Sequence, residues 1–119
     1  MKLADVNLLV ALSDESHPHF EAATRWRQQH RLTTCPITEL GVVRVMMVLG
    51  SSAVDAFKHL EAIKANADFI PCDVPGSVIT GDVTHHKQTT DAYLLALAKK
   101  HRGTLCTLDT GIKGAELVK

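Results

Sequence analysis

Short apolar runs alternate with stretches of helical spacing along this chain, and that alternation most restricts what it can fold into. Leu3 to Leu12 is nearly continuous apolar and reads as a strand buried on both faces. Leu32–Cys35, Phe69–Cys72 and Thr104–Leu108 are shorter strand candidates. Between them the spacing predicts helices. Ser16-His17-Pro18 opens one, with Ser16 as N-cap and Pro18 in the first turn, running to about His30. Pro36 starts a second that Gly50 stops after Leu49. Ser51-Ser52 cap a third over Ala53–Ala65, with Val54, Phe57, Leu60 and Ile63 at helical spacing. Thr89-Thr90 cap a fourth over Asp91–His101, closed by Gly103. Asp73–Thr84, with Pro75, Gly76 and Gly81, predicts a loop with a short helical turn. A last short turn follows Asp109-Thr110-Gly111. Strand, helix, strand, helices, strand, helix, strand is the order of an α/β fold. A single domain over residues 1–119 is expected, its central, mostly parallel sheet flanked by helices on both sides.

At 119 residues the chain has enough length to bury one core without staples. Its thirteen basic and thirteen acidic residues cancel, which excludes a polycation that coats nucleic acid. With three Phe, one Tyr and one Trp, it is also poorly equipped to stack successive bases on exposed rings. The three cysteines, Cys35, Cys72 and Cys106, are far apart and form no CxxC pair. They predict buried free thiols on strands in a reducing cytoplasm, not a zinc knuckle or a disulfide framework. Asp5 and Asn7 interrupt the apolar N-terminus, and Arg44 splits the other apolar block. Neither a signal peptide nor a membrane span is expected.

Four acids sit where the apolar pattern calls for burial. Asp5 lies inside the first run, and Asp109 follows the last strand. Glu39 heads a helical stripe of Val42, Val43 and Met46, and Asp91 shares a face with Leu94, Leu95 and Ala98. A buried, ionised carboxylate costs about several kcal/mol unless something pairs with it. In an open parallel sheet, strand carboxyl ends and helix N-termini face one edge, where ligand sites form. Four carboxylates meeting there call for a hard divalent cation with oxygen ligands, Mg2+ or Mn2+. Asn7 and Thr107 stand two residues from Asp5 and Asp109 and are placed to orient carboxylates or ligand waters. Three of the acids also have a structural explanation, a cap for Glu39 or Asp91 and a turn for Asp109, whereas a mid-strand Asp5 has no cap or turn to serve.

Leu3-Ala-Asp5-Val-Asn7-Leu-Leu-Val, Thr38-Glu39-Leu, Thr90-Asp91-Ala-Tyr-Leu-Leu-Ala-Leu-Ala98 and Thr107-Leu-Asp109 resemble the signature blocks of PIN-domain nucleases. The VapC toxins of bacterial toxin–antitoxin pairs match most closely. The blocks span residues 3 to 112 in the family's order. The resemblance implies a metal-dependent ribonuclease with Asp5, Glu39, Asp91 and Asp109 as its catalytic and metal-binding quartet. It also implies a cognate antitoxin that inhibits by inserting a segment at this site. Two positions depart from the pattern: Ile112 replaces a frequent aromatic, and Gly111 stands where some members carry a further acid.

Such a site hydrolyses a phosphodiester with an activated water, leaving a 5′-phosphate and a 3′-hydroxyl. Asp5, Glu39 and Asp91 would hold the principal ion, and Asp109 would complete the site or recruit a second. No serine or cysteine nucleophile is evident, and the seven histidines form no metal or triad motif. Arg44, His85, His86 and Lys87 are candidate RNA contacts, although a solvated loop explains the last three as well. The helix through Val42–Leu49 is apolar nearly all round. With Val54 and Phe57 it predicts a partner surface, read as a homodimer interface. Competing functions are a DNA nuclease of the same fold, a catalytically silent protein-binding relative and a phosphoacceptor signalling domain. The last fits poorly, since this sequence has no acidic pair ending strand one and no lysine ending the last strand.

Overall fold

In the computed structural model, which describes residues 1–119, the first apolar run is two elements rather than one. Strand β1 covers Lys2–Ala4, and helix α1 covers Val6–Ser13. Asp5 is extended (φ −69°, ψ 160°), and its carboxylate accepts the Val6 N–H as the N-cap of α1. Asp5 is buried as expected, but at a helix N-cap and not within a strand. A short, continuous apolar run fits a buried helix as well as a buried strand, and α1 is such a helix. Its Leu8, Leu9 and Ala11 are buried where α1 packs against three neighbouring helices.

Helix α2, Phe20–Gln29, starts later than expected. Asp14 captures both the backbone N–H and the hydroxyl of Ser16, so Ser16 belongs to a turn and Pro18 lies ahead of the helix. Strand β2 (Leu32–Thr34), α3 (Pro36–Val48), α4 (Ala53–Ile63) and strand β3 (Asp68–Phe69) follow. Ser52 caps α4 by accepting the Asp55 N–H at 3.1 Å, and Gly50 ends α3 at φ 109°, both as the sequence predicts. The expected short turn in the 73–84 loop is a 3-10 turn at Gly76–Ile79, and another at His86–Gln88 leads into α5, Thr89–Lys100. Strand β4 is Thr104–Thr107. A fifth strand, β5 at Glu116–Leu117, was not legible, because only two half-buried residues form it.

All five strands are parallel, in the order β3-β2-β1-β4-β5. Adjacent strand residues serve opposite faces. Leu3 and Leu105 point to a cluster with Cys35, Leu94, Leu97 and Ala98, so α5 covers one side. Ala4 and Cys106 point to a larger cluster fed by α1, α2, α3 and α4 on the other. Of the three cysteines only Cys106 lies in a strand; buried Cys35 is the N-cap of α3, and half-buried Cys72 lies in the loop after β3. The thiol of Cys106 is pushed up to about 12 by burial and by its hydrogen bond to Glu116, which leaves it inert.

Gly103 joins α5 to β4, but Arg102, at φ 58°, takes the left-handed position at the helix end. What requires glycine at 103 is close approach. A Cβ there would sit 2.5 Å from the Met1 carbonyl, which accepts the Thr104 N–H and so starts the β1–β4 pairing. Gly103→Ala is expected to lower the unfolding free energy by ~2 kcal/mol, read as a reduced urea midpoint.

Candidate active site

The sheet order reverses between β1 and β4: β2 and β3 build outward on one side, β5 on the other. A parallel sheet with such a switch point opens a crevice at the strand carboxyl ends there. Asp5 follows β1 directly, and Asp109 lies two residues beyond β4. Asp91 is in the first turn of α5, and Glu39 in the first turn of α3.

The backbone fixes these groups tightly. Asp5 is only 6% exposed; its Oδ1 accepts the Val6 N–H at 2.8 Å and its Oδ2 accepts the Thr107 hydroxyl at 2.8 Å. Thr107 is itself saturated. Its single proton goes to Asp5, while its oxygen accepts from Asn7 Nδ2 at 3.0 Å and from the Asp109 N–H at 3.1 Å. Asn7 Oδ1 accepts the Leu108 N–H at 3.1 Å, pinning the turn that carries Asp109. Asp109 Oδ1 in turn accepts the Gly111 N–H at 2.8 Å. Asn7 thus reaches the neighbourhood expected of it, although from α1 rather than from a strand face. The threonine of Thr38-Glu39 also has a role: its hydroxyl accepts the Cys35 N–H at 3.1 Å, closing the cap that positions the first turn of α3.

Electrostatics ties three of the acids together. The Asp91 carboxyl is held above the ordinary aspartate range, first by burial and then by the charges of Asp5 and Asp109. None of these three forms an ion pair with a lysine, arginine or histidine. Glu39 stands apart. It accepts the Thr34 hydroxyl at 2.6 Å and pairs with Lys64 at 3.1 Å. Thr34 and Lys64 were both missed in the sequence. Thr34 had a weak signal, a hydroxyl at a strand's carboxyl end like Thr107; Lys64 had none.

Three carboxylates that repel one another without a basic partner are a donor set suited to a hard cation. No three acidic, histidine or cysteine side chains stand close enough to cage an ion by themselves. Mg2+ tolerates that spacing, since it keeps several waters and takes one or two carboxylates directly. The expected RNA contacts lie outside this cluster. Arg44 is exposed on α3, and His85, His86 and Lys87 are exposed just before α5. His85 serves as a cap, accepting the Lys87 N–H at 3.2 Å, with its ring stacked on His86. A groove of about 1020 Å3 runs along α5 from Asp91 past Leu95 and Ile112 to Lys99 and Lys113; of the four acids it includes only Asp91.

The PIN domain family matches residues 2–116. The protein called Ribonuclease VapC29 of Mycobacterium tuberculosis is 37% identical over 116 residues, covering 92% of this chain and 86% of its own. Ribonuclease VapC39 of the same organism is 38% identical over 124 residues, covering 92% and 89%. Among solved structures, M. tuberculosis VapC20, described as a sarcin-ricin loop cleaving toxin, superposes with a TM-score of 0.74 at 10% identity over the whole of both chains. A match of this extent, joined by relatives at this identity, establishes that the chain belongs to the PIN domain family.

Proposed function

We propose that this protein is a metal-dependent endoribonuclease, the toxin of a type II toxin–antitoxin pair, acting in the cytoplasm as a single domain over residues 1–119. The observation that carries the reading is the trio Asp5, Asp91 and Asp109, carboxylates without a basic partner beside the sheet's switch point. Relatives named ribonucleases at 37% and 38% identity support RNA as substrate. No helix is long and apolar enough to cross a membrane.

Asp5, Asp91 and Asp109, with Glu39, would hold Mg2+ or Mn2+, directly or through water. A divalent ion bound there activates a water for attack and neutralises charge on the scissile phosphate. The chain's own contribution is orientation. Asp5 is held by the Val6 N–H and the Thr107 hydroxyl, so it would meet an ion without rotamer loss. The fold disfavours the charge of Asp91 through burial and the charges of Asp5 and Asp109, and a cation there would relieve it. Asn7 and Thr107 hold the Asp109 turn in register with Asp5. Arg44, His85, His86 and Lys87 are the residues we assign to phosphate contacts along the RNA.

Exposed Leu40, Met47, Val48, Leu49, Val54 and Phe57 form the apolar face on and around α3 and α4. They support a protein partner, which we assign to a second copy of the chain. A monomeric mass by light scattering would remove the dimer from the account. A cognate antitoxin would insert a segment at the acid cluster. The function is tested by incubating a mixed pool of structured RNAs with the protein. Cleavage with Mg2+, none with EDTA and recovery on adding Mn2+ is the expected result; cleavage that EDTA leaves intact would defeat it.

A further inference from the structure

Lys64 is unlike the other lysines of the surface. It caps the C-terminal end of α4, whose Ala56 and Leu60 are buried against the core, so its backbone is fixed. Its side chain is only 25% exposed, and that of Glu39 only 17%. The ammonium lies 3.2 Å from Glu39 Oε1 and 3.1 Å from Oε2, 3.9 Å from Glu61, and 5.7 Å from the centre of the Phe69 ring. Thr34 donates to the same carboxylate at 2.6 Å. Glu39 therefore has a cation astride both oxygens, while Asp5, Asp91 and Asp109 have none.

We infer that Lys64 is an internal counter-cation of the acid site, which pairs with Glu39 and competes with the divalent ion for it. The inference rests on the nuclease reading of the site and assigns a regulator of its metal affinity. Glu39 contributes to ion binding only when Lys64 shares or releases it, so the pair weakens the site. Without the lysine, the crevice would carry one more uncompensated negative charge, and hard cations would bind more tightly. Thr34 stays in either case, so Glu39 does not lose its rotamer when Lys64 leaves.

The test is calorimetric titration of Mn2+ into the full-length wild type and its variants. Lys64→Met keeps the aliphatic stem and removes the charge; it is expected to lower the Mn2+ Kd about fivefold, the scale of a partly buried ion pair. Lys64→Arg is expected to bind as wild type does. In a Glu39→Gln background, Lys64→Met is expected to change nothing, a result that a general effect on folding would not give. Lys64→Gln provides the same comparison if the methionine variant melts early. Wild type and Lys64→Met with equal Kd, or weaker binding by Lys64→Met, would overturn the inference and leave the nuclease reading standing. Absence of Mn2+ binding in every variant would overturn both.

Discussion

Asp91→Asn is expected to reduce RNA cleavage ~10^3-fold, the scale of losing one essential group in metal-assisted hydrolysis, and to stabilise the protein that has lost its activity. The two effects share one cause. The fold disfavours the ionised Asp91 carboxylate, first through burial and then through Asp5 and Asp109. Because its pKa is raised on folding, that penalty is fully present above the raised value. It fades as pH falls through the raised value and is gone below the ordinary aspartate value of 3.8. Asparagine keeps the shape and removes the charge. Without metal, the variant is expected to melt higher than wild type at neutral pH, with the advantage vanishing in acid. Excess Mg2+ is expected to shrink the gap as well, since the ion stabilises wild type and binds the variant poorly. A variant that melts lower than wild type at neutral pH would contradict this account of the site.

Thr107→Val is expected to reduce cleavage ~10- to 100-fold, as loss of an orienting partner of a metal ligand does. Valine matches threonine in shape, so the change isolates the hydroxyl. That hydroxyl is buried and makes three hydrogen bonds, to Asp5, Asn7 and the Asp109 backbone. Its removal leaves the Asn7 amide and the Asp109 N–H short of an acceptor and leaves Asp5 held by the Val6 N–H alone. About 1–3 kcal/mol of stability should go with it, which a urea melt reads directly. Thr107→Ser restores the hydroxyl and is expected to recover most of the activity. Equal cleavage by Thr107→Val and wild type would show that Asp5 needs no orientation from β4.

Strands β2 and β4 were legible because parallel strands buried on both faces leave continuous apolar runs, whereas the expected strand Phe69–Cys72 meets the exposed β3 only at Phe69. The first run is a strand and a helix, and Asp5 shows why. Leu8–Leu12 has no polar residue to reveal a helical period, so the helix boundary could only come from recognising Asp5 as a cap. The acid singled out for having no capping role turned out to be a cap. It still lies at the carboxyl end of β1, beside the crevice, because it directly follows that strand. Glu39 and Asp91 fell in helix first turns, as their spacing implies. Lys64 could not be read from the chain: its link to Glu39 bridges 25 residues and depends on how α4 docks. The apolar face on α3 and α4 was legible as an excess, since a peripheral helix with apolar residues all round must leave some exposed.

The central claim is that these four acids cut RNA by water attack with a divalent ion. It is tested most directly by the chemistry of the fragment ends, using end-labelled structured RNA with Mg2+, wild type and Asp91→Asn. The account predicts fragments with 5′-phosphate and 3′-hydroxyl ends from wild type and almost none from the variant. Fragments ending in a 2′,3′-cyclic phosphate, or equal cutting by Asp91→Asn, would contradict it.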